Sequence, residues 1–386
     1  MTAKISPEAE LLSLVARSRI DDAAAGRISA LLAHGLDWDQ FVRTCIHHRV
    51  TPIVSRMLSQ NCSVEIPRWV INELNSRCVA IARRNLYLTA RLLQLIQSLN
   101  GAGIRAIAYK GPVGAVLAYG SISMRQFGDL DILVESADYM RTRASLGASG
   151  YSLTTEWGWE CTLVNESESI CVDLHRNLAP DQFPVHLDFE SLWLHRMSLP
   201  IAGGRIETLS AEDTLVVLCI QLIKDAWGES ALRLSKVCDI AELIRARSNI
   251  DLSRVVETAR TLGCLRILQV GIRVAERLFG LGTTEVSWAG QFDRRLDPLV
   301  EHVIARLFES SDDRDSSRMP MAAFHFRIRE RWRDKLYPYA RAAALRLTPN
   351  ERDRAMVRLP ASLFFLYYFV RPVRLAKERL RRLVNW

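Results

Sequence analysis

Two acidic residues separated by a single residue stand on a predicted strand in the first half of the chain. The segment from Asp129 to Val134 reads DLDILV, and side chains two residues apart on a strand point to the same face. Asp129 and Asp131 would therefore present two carboxylates together, which repel each other unless a cation neutralises them. This geometry is typical of a site that binds a divalent metal ion.

A third acid extends this site. The segment SICVDLH, from Ser169 to His175, predicts another strand and carries Asp173. If that strand pairs beside the DLD strand, directly opposed side chains would lie roughly 5 Å apart. Three such carboxylates could hold two metal ions about 3.5–4 Å apart, an arrangement that drives displacement at phosphorus. Asp173 could also accept the proton of an attacking hydroxyl. For the pair alone, an acid in a turn and an acid on an edge strand are the favoured interpretation. The third acid, together with the Lys110-Gly111 turn upstream, reverses this in favour of phosphoryl or nucleotidyl transfer.

The turn upstream of the acidic strand could bind phosphate. A short apolar strand, Ile104 to Tyr109, ends in Lys110-Gly111, and Pro112 suits the first position of a helix. The free N–H groups of such a helix start bind anions, and Lys110 would add a point charge. Arg125 could fork onto phosphate oxygens or hold one of the aspartates. A surface arginine fits its spacing equally well.

Three further polar residues are candidates for substrate binding. His175 lies two residues after Asp173 and so on the same face of its strand, whereas Lys224 and Asp239 interrupt apolar helical segments. A structural histidine and two solvated helix faces are the competing interpretations.

Composition indicates a folded chain of more than one domain. Of the 386 residues, 49% are hydrophobic and 24% charged, which excludes a disordered or low-complexity protein. The formal net charge is +8 and the sequence pI is about 9.2, a surplus that favours anionic partners such as nucleotides, nucleic acid or acidic lipid.

The hydrophobic pattern predicts an α+β fold, with a mixed-sheet core between large helical regions. We expect helices over residues 1–100, the αβ core over 101–209, and helices again over 210–386, ending in a basic amphipathic segment. Within the last region the periodicity predicts helices at 230–247, 252–262, 265–279, 296–308 and 321–345.

Cysteine usage and hydropathy predict a cytoplasmic protein. None of the eight cysteines forms a CxxC pair, so buried thiols in a reducing compartment are expected rather than a zinc site or a disulfide framework. No secretory signal opens the sequence. The longest strongly apolar run, Ala361 to Val370, is shorter than the roughly 20 residues of a membrane span. The basic segment that follows, Arg371 to Trp386, could lie on a membrane surface, although docking of its apolar face onto the helical region is favoured.

Together these residues resemble the nucleotidyltransferase superfamily, and more closely a bacterial group of uncharacterised nucleotidyltransferases. The motif residues of that group are Lys110-Gly111, Tyr119, Arg125 and the DLDILV strand. The resemblance extends to the VDLH strand, to the segment from His47 to Leu58 and to the helices after Ser210. It spans roughly residues 10 to 250. The chain departs from the group at Gln221, where relatives carry His, and near Lys236, where they carry Trp.

The resemblance implies a Mg²⁺-dependent reaction, with two ions expected and Mn²⁺ as an alternative metal. It implies transfer of a nucleoside monophosphate from a nucleoside triphosphate, with ATP as the first candidate, to a hydroxyl of an acceptor. The acceptor would be a small molecule or peptide in a biosynthetic setting, and pyrophosphate would be released. In this account Asp129, Asp131 and Asp173 are the metal-binding and catalytic residues, while Lys110, Gly111 and Arg125 bind the phosphates.

Two alternatives stay open from the sequence. The first is nucleotidyl transfer to RNA or to a protein side chain, as in toxin-like members of the superfamily. The second is a catalytically inactive scaffold that binds a peptide or protein.

Overall fold

The structure, a computed structural model, describes most of the chain as two compact units. The described residues are 5–61, 66–180, 183, 185, 187–227, 232–281, 293–308, 319–337, 339, 348, 357 and 360–374. One unit comprises Met1–Glu330 and the other Arg331–Trp386.

Helices make up most of the first unit, and side-chain caps set several of their starts. Ser6, Asp21, Asp37, Asp188 and Asp251 each accept a hydrogen bond from a backbone N–H of the turn that follows. The described helices are α1 Pro7–Val15, α2 Asp22–Ala33, α3 Trp38–His47, α4 Thr51–Asn61, α5 Arg68–Gly101, α6 Gly111–Tyr119, α7 Tyr139–Ala148, α8 Phe189–Leu194, α9 Ala211–Trp227, α10 Leu234–Ala246, α11 Leu252–Leu262, α12 Leu265–Phe279, α13 Asp297–Leu307 and α14 Met321–Ile328.

All seven strands of a mixed sheet fall between α5 and α9 in the order of the chain. Its spatial order is β3-β4-β5-β2-β1-β7-β6. Strand β2 pairs antiparallel with β1 and parallel with β5, and β1 pairs parallel with β7. The strands are β1 Ala106–Tyr109, β2 Asp129–Val134, β3 Ser152–Glu156, β4 Glu160–Asn165, β5 Ile170–His175, β6 Met197–Ile201 and β7 Gly204–Thr208. The predicted α+β fold with a mixed sheet is therefore confirmed.

The two faces of the sheet differ in chemistry because side chains alternate along each strand. One face carries Ala108, Leu130, Ile132 and Val172, which join the main hydrophobic core of the first unit. The other face carries Asp131 and Asp173 at paired positions of β2 and β5. Flanking these acids is a smaller apolar cluster of Ile107, Tyr109, Leu133, Leu178, Leu192, Leu209 and Val217. The polar face is thus open in its centre, and the smaller apolar cluster covers it at one side.

Most predicted elements are confirmed, and one helix prediction is wrong. The helix expected over 321–345 ends at Ile328, and Arg329 has extended backbone. Tertiary contacts explain the break, because Arg266 donates its backbone N–H to Glu330 and its guanidinium to the Arg329 carbonyl. Of the remainder of that predicted helix, 332–337 and 339 are helical and most of the rest lies outside the described residues. The hairpin of β6 and β7 was not predicted.

The second unit is described in short pieces. It contains a helical segment at 332–337, a 3₁₀ turn at Ala361–Leu366 and a helical segment at 367–374. Tyr367 donates its hydroxyl to the Val357 carbonyl at 2.9 Å. Most of the basic segment from Arg371 to Trp386 lies outside the described residues. Within the described part of the chain, no helix combines the length and the hydropathy that crossing a bilayer requires.

The cysteines follow the sequence prediction where the structure describes them. Cys45, Cys78, Cys161, Cys171, Cys219, Cys238 and Cys264 are free thiols, and five of these seven are buried. Burial raises the pKa of each of the thiols at Cys78, Cys161 and Cys171, which leaves them protonated and unreactive at neutral pH.

Candidate active site

A cleft of about 360 Å³ opens over the polar face of the sheet. Its walls come from the start of α6, the ends of β2, β4 and β5, the helices α9 and α10, and the loop before α4. Six cationic and six acidic side chains line it: Arg49, Lys110, Arg125, Lys224, Arg233 and Lys236, with Asp129, Asp131, Glu160, Asp173, Asp225 and Asp239.

The three predicted acids come together in this cleft. Strand pairing sets Asp131 directly opposite Asp173, and Asp129 opposite Cys171, so the predicted pairing of the two acidic strands is confirmed. Because the pairing is parallel and in register, the three carboxylates share one face. An oxygen of Asp131, an oxygen of Asp173 and a ring nitrogen of His175 all lie within 4.8 Å of one another.

Asp131 is the most tightly held of the three acids. It is 4% exposed, and its Oδ1 accepts from Lys110 Nζ at 2.7 Å and lies 3.1 Å from His175 Nε2. Burial raises the pKa of this carboxyl, but Lys110 and His175 outweigh burial and hold the pKa below its usual range. Asp131 is therefore ionised at neutral pH.

Asp173 has the opposite electrostatic environment. Burial and the neighbouring charge of Asp131 raise its pKa to about 6, against a hydrogen bond that Thr162 Oγ1 donates to its Oδ1 at 2.7 Å. A carboxylate with a raised pKa is a stronger base and accepts a proton more readily at neutral pH. The pair of opposed acids thus combines one firmly ionised group with one that can exchange a proton.

His175 lies beneath the floor of the cleft rather than in it. Its side chain is 1% exposed and packs against the rings of Tyr109 and Trp159. Burial lowers its pKa to about 4, so the ring is neutral and its Nε2–H donates to Asp131. The other ring nitrogen, Nδ1, lies 3.2 Å from Glu160 Oε2. This placement favours a role in orienting Asp131 over direct contact with a substrate.

The Lys110-Gly111 turn approaches the acidic strand closely. Lys110 has φ 57 and Gly111 has φ 38, both in the left-handed region. A Cβ on Gly111 would lie 3.3 Å from the Asp129 carbonyl oxygen, so glycine is required both for the backbone angle and for the close approach. Burial lowers the pKa of Lys110, but the Asp131 carboxylate outweighs it and keeps the ammonium charged.

Arg125 and Asp239 bind each other across the cleft wall. Arg125 Nη2 lies 2.8 Å from Asp239 Oδ2, and its Nε lies 3.0 and 2.9 Å from the two oxygens. Tyr119 also donates its hydroxyl to Asp239 Oδ1 at 2.8 Å. These contacts tie α6 and the loop before β2 to α10, so both predicted residues line the cleft while largely neutralising each other.

The remaining predicted residue and the two departures from the family pattern lie along α9 and α10. Lys224 Nζ lies 5.2 Å from the centre of the Trp159 ring, at the side of the cleft where Glu160 stands. Lys236 Nζ lies 2.5 Å from Asp225 Oδ2. Gln221 donates its side-chain amide to the Leu178 carbonyl at 3.1 Å. The two departures therefore fill structural roles in the cleft wall.

Sequence reasoning did not single out four charged residues of this cleft, namely Glu160, Arg49, Arg233 and Asp225. Glu160 begins β4 opposite His175, and burial raises its pKa to about 7. Arg49 and Arg233 come from outside the αβ core, one before α4 and one at the start of α10. Glu160 lies two residues before Thr162, which pairs with Asp173, but only the strand register shows this relation. Arg49 lies within the segment from His47 to Leu58 that the family resemblance already included.

With this geometry defined, the chain can be compared with known proteins. The profile of a family described as "Uncharacterised nucleotidyltransferase" matches residues 34–280. The chain belongs to this family. The match includes the sheet, the acidic strands, the Lys110-Gly111 turn and the helices α9 and α10, so the residues that line the cleft lie within the matched region of a nucleotidyltransferase.

Two solved structures are similar to this nucleotidyltransferase in part. The antibiotic-resistance factor ANT(2'')-Ia, determined in solution, is 12% identical, with a TM-score of 0.34 over 45% of this chain and 90% of that chain. An antigenic nucleotidyltransferase-like protein from Paracoccidioides brasiliensis is 15% identical, with a TM-score of 0.30 over 54% of this chain and 99% of that chain. No curated protein matches the chain.

Proposed function

We propose that this nucleotidyltransferase moves a nucleoside monophosphate from a Mg²⁺-bound nucleoside triphosphate, ATP first, to a hydroxyl of a small-molecule or peptide acceptor. Pyrophosphate is the second product. The observation that carries the proposal is the in-register pairing of Asp131 with Asp173, with Asp129 two residues along the same face. This register gathers three carboxylates on the floor of one cleft.

The donor set fits magnesium. All three proposed ligands are carboxylates, and hard cations such as Mg²⁺ prefer oxygen donors. Asp131 and Asp173 are close enough to share a ligand sphere, since their oxygens lie within 4.8 Å. Bound ions would neutralise charge on the phosphates and lower the pKa of the acceptor hydroxyl. Asp129, Asp131 and Asp173 are the residues that would hold them.

The phosphate groups belong on the α6 side of the acids. Gly111 and the first turn of α6 present backbone N–H groups there, and the helix dipole adds partial positive charge. Lys110 extends from the same turn over the floor of the cleft, where it already contacts Asp131. A triphosphate placed here would lie between these donors and the metal-binding acids. Arg125 stabilises the same wall of the cleft through its ion pair with Asp239.

The acceptor belongs on the opposite side, beside β4 and β5. There Asp173 takes the proton of the acceptor hydroxyl as its oxygen attacks the α-phosphorus, and the bond to the bridging oxygen of pyrophosphate breaks. Lys224, whose ammonium lies over the buried Trp159 ring, lines this side of the cleft. A polar hydroxylated acceptor suits this surface, which combines the Lys224 ammonium and the Glu160 carboxyl.

Nucleotide-dependent thermal stabilisation tests the proposal. Unfolding is followed with ATP, GTP, CTP and UTP, each with Mg²⁺ and with EDTA. A ligand present at 100 times its Kd adds about 2.7 kcal/mol to stability. We expect one triphosphate to stabilise the protein with Mg²⁺ and to lose most of this effect in EDTA.

Asp129→Asn is the variant of choice for this experiment. Asp131 is a poorer target because its removal leaves the Lys110 ammonium without its carboxylate partner. The matched control is Asp39→Asn, an exposed acid on α3. The proposal predicts that Asp129→Asn abolishes the stabilisation and that Asp39→Asn keeps it. If none of the four triphosphates stabilises the wild type, nucleotide transfer is the wrong function and a scaffold role takes its place.

A further inference from the structure

Among the residues that the structure describes, two arginines of the cleft lack the carboxylate partner that most of its other cationic side chains have. Lys110, Arg125 and Lys236 each have a carboxylate partner. Arg49 and Arg233 line the same cleft, yet among the described residues neither has a carboxylate partner within ion-pair distance. Arg233 Nε is buried and has no hydrogen-bond partner in the part of the chain that the structure describes.

Backbone contacts hold these two arginines next to each other. His48 accepts the Leu234 N–H on its Nδ1 and the Ser235 N–H on its carbonyl oxygen, both at 3.2 Å. Each of these bonds joins a residue adjacent to Arg49 with a residue just after Arg233. Arg49 itself has φ 56, an unfavourable angle for a residue with a side chain. The backbone at Arg49 is therefore strained, and the surrounding contacts hold it in this conformation.

Two guanidinium charges this close together destabilise the structure unless a counter-ion neutralises them. Burial lowers the pKa of Arg49, and the charge of Arg233 lowers it further, while Asp129 opposes both. Arg49 consequently lies within electrostatic reach of Arg233 on one side and of a proposed metal ligand on the other. An anion that binds the metal at Asp129 would also lie within reach of both guanidinium groups.

We propose that Arg49 and Arg233 form a clamp for the terminal phosphates of the nucleoside triphosphate, the part that leaves as pyrophosphate. This inference rests on the proposed function. The clamp approaches the phosphates from the helical regions, whereas Gly111 and Lys110 approach them from the sheet. The nucleotide thus joins the N-terminal helices and α10 to the αβ core, and binding energy comes from all three regions.

Arg17 and Arg245, which line another cavity, do not offer a comparable site. That cavity, of about 290 Å³, is lined by Arg17 and Arg245 among other residues. Arg17 donates to the Leu278 carbonyl at 2.9 Å, and Arg245 donates to the Phe279 carbonyl at 2.6 Å. Both guanidinium groups therefore bind carbonyl oxygens at the C-terminal end of α12, where the helix dipole favours cations.

Calorimetric binding of inorganic pyrophosphate with Mg²⁺ tests the clamp. Charge-assisted hydrogen bonds to phosphate are among the strongest polar contacts, so Arg49→Gln and Arg233→Gln should each weaken pyrophosphate binding by roughly 10-fold or more. The corresponding nucleoside monophosphate lacks the terminal phosphates, and its affinity should stay unchanged. Arg49→Lys and Arg233→Lys keep the charge and should recover part of the loss.

The matched control is Arg83→Gln, which removes one exposed arginine from α5 and should leave pyrophosphate affinity unchanged. Thermal unfolding of each variant without ligand verifies folding, and the lysine variants serve if a glutamine variant does not fold. Equal pyrophosphate affinity in the wild type and in folded Arg49 and Arg233 variants would overturn the clamp while leaving the proposed function intact. Failure of the wild type to bind any triphosphate would overturn both.

Discussion

Protonation of His48 should destabilise the enzyme in mild acid. The side chain is 2% exposed and packs edge-on against Phe308, and its Nδ1 accepts the Leu234 N–H. Burial, with help from the charges of His47 and Arg233, lowers its pKa from 6.5 to about 4. The unfolded chain therefore binds a proton more readily than the folded one between these two values. Stability contributed by neutral His48 is complete above pH 6.5 and is lost as the pH falls toward 4.

The size of this effect follows from the two pKa values. A fall from 6.5 to about 4 corresponds to about 3 kcal/mol in total. At pH 5 the linkage relation gives about 2 kcal/mol of that loss. Asn supplies an oxygen acceptor near the position of Nδ1 and does not titrate, so His48→Asn should remove this part of the pH dependence.

Urea unfolding of the wild type and His48→Asn at pH 7.5, 6, 5.5 and 5 measures the effect. The difference in unfolding free energy between the two proteins should shrink by about 2 kcal/mol from pH 7.5 to pH 5. His34→Asn, at an exposed histidine of the first unit, should parallel the wild type at every pH. A wild-type curve that runs parallel to that of His48→Asn would refute the reasoning, because His48 would then titrate equally in the folded and unfolded chains.

Three substitutions probe packing and pairing elsewhere in the first unit. Asp239→Ala leaves the largely buried Arg125 guanidinium unpaired and should lower the free energy of unfolding by about 3 kcal/mol; urea unfolding equal to the wild type would contradict the pairing. Gly271→Ala places a Cβ 2.7 Å from Cys219 Sγ and 3.3 Å from its Cα, between α12 and α9, and should cost about 1–3 kcal/mol of stability. Gly26→Ala, in open space on α2, should instead stabilise by about 0.5–1 kcal/mol. If Gly271→Ala also raised the stability in thermal unfolding, helix propensity and not the α9–α12 contact would decide the outcome, and a loss of stability in Gly26→Ala would contradict the propensity argument.

Local pattern was sufficient to predict the acidic floor of the cleft. The period of two in DLDILV places Asp129 and Asp131 on one face, and a second apolar strand with one internal acid pairs with it in the expected way. Each strand was predictable from residues close together in sequence, and the family resemblance supported a third acid on a later strand, whereas the pairing of the two strands entered only as a condition. The Lys110-Gly111 turn was predictable for the same reason, since strand, turn and helix follow one another directly.

Contacts between distant segments could not be read from the sequence. Arg125 and Asp239 were both predicted as polar residues of the cleft, but their pairing depends on how α10 packs beside α6. Arg49 and Arg233 were missed because neither segment shows by itself that the other lies beside it. Glu160 follows a turn of Trp and Gly residues, so an acid there resembles an ordinary turn residue until its partner His175 is known.

One missed element did carry a local signal. Strands β6 and β7 form a hairpin through Ala202 and Gly203, which have φ 47 and φ 83. A pair of left-handed residues is typical of a type I′ turn. The Gly203-Gly204 dipeptide between two β-compatible runs was therefore a hairpin signal that the sequence offered. It adds two strands beside β1 and extends the sheet away from the cleft.

The count of bound metal ions tests the central claim most directly. Electron paramagnetic resonance measures free Mn²⁺ in the presence of the triphosphate that stabilises the protein, and the remainder is bound. The wild type should bind two Mn²⁺ ions per chain, and Asp173→Asn, which preserves the hydrogen bond from Thr162, should bind at most one. If Asp129→Asn and Asp173→Asn each bind as many ions as the wild type with the same affinity, the three carboxylates are not the metal site and the proposed chemistry is wrong.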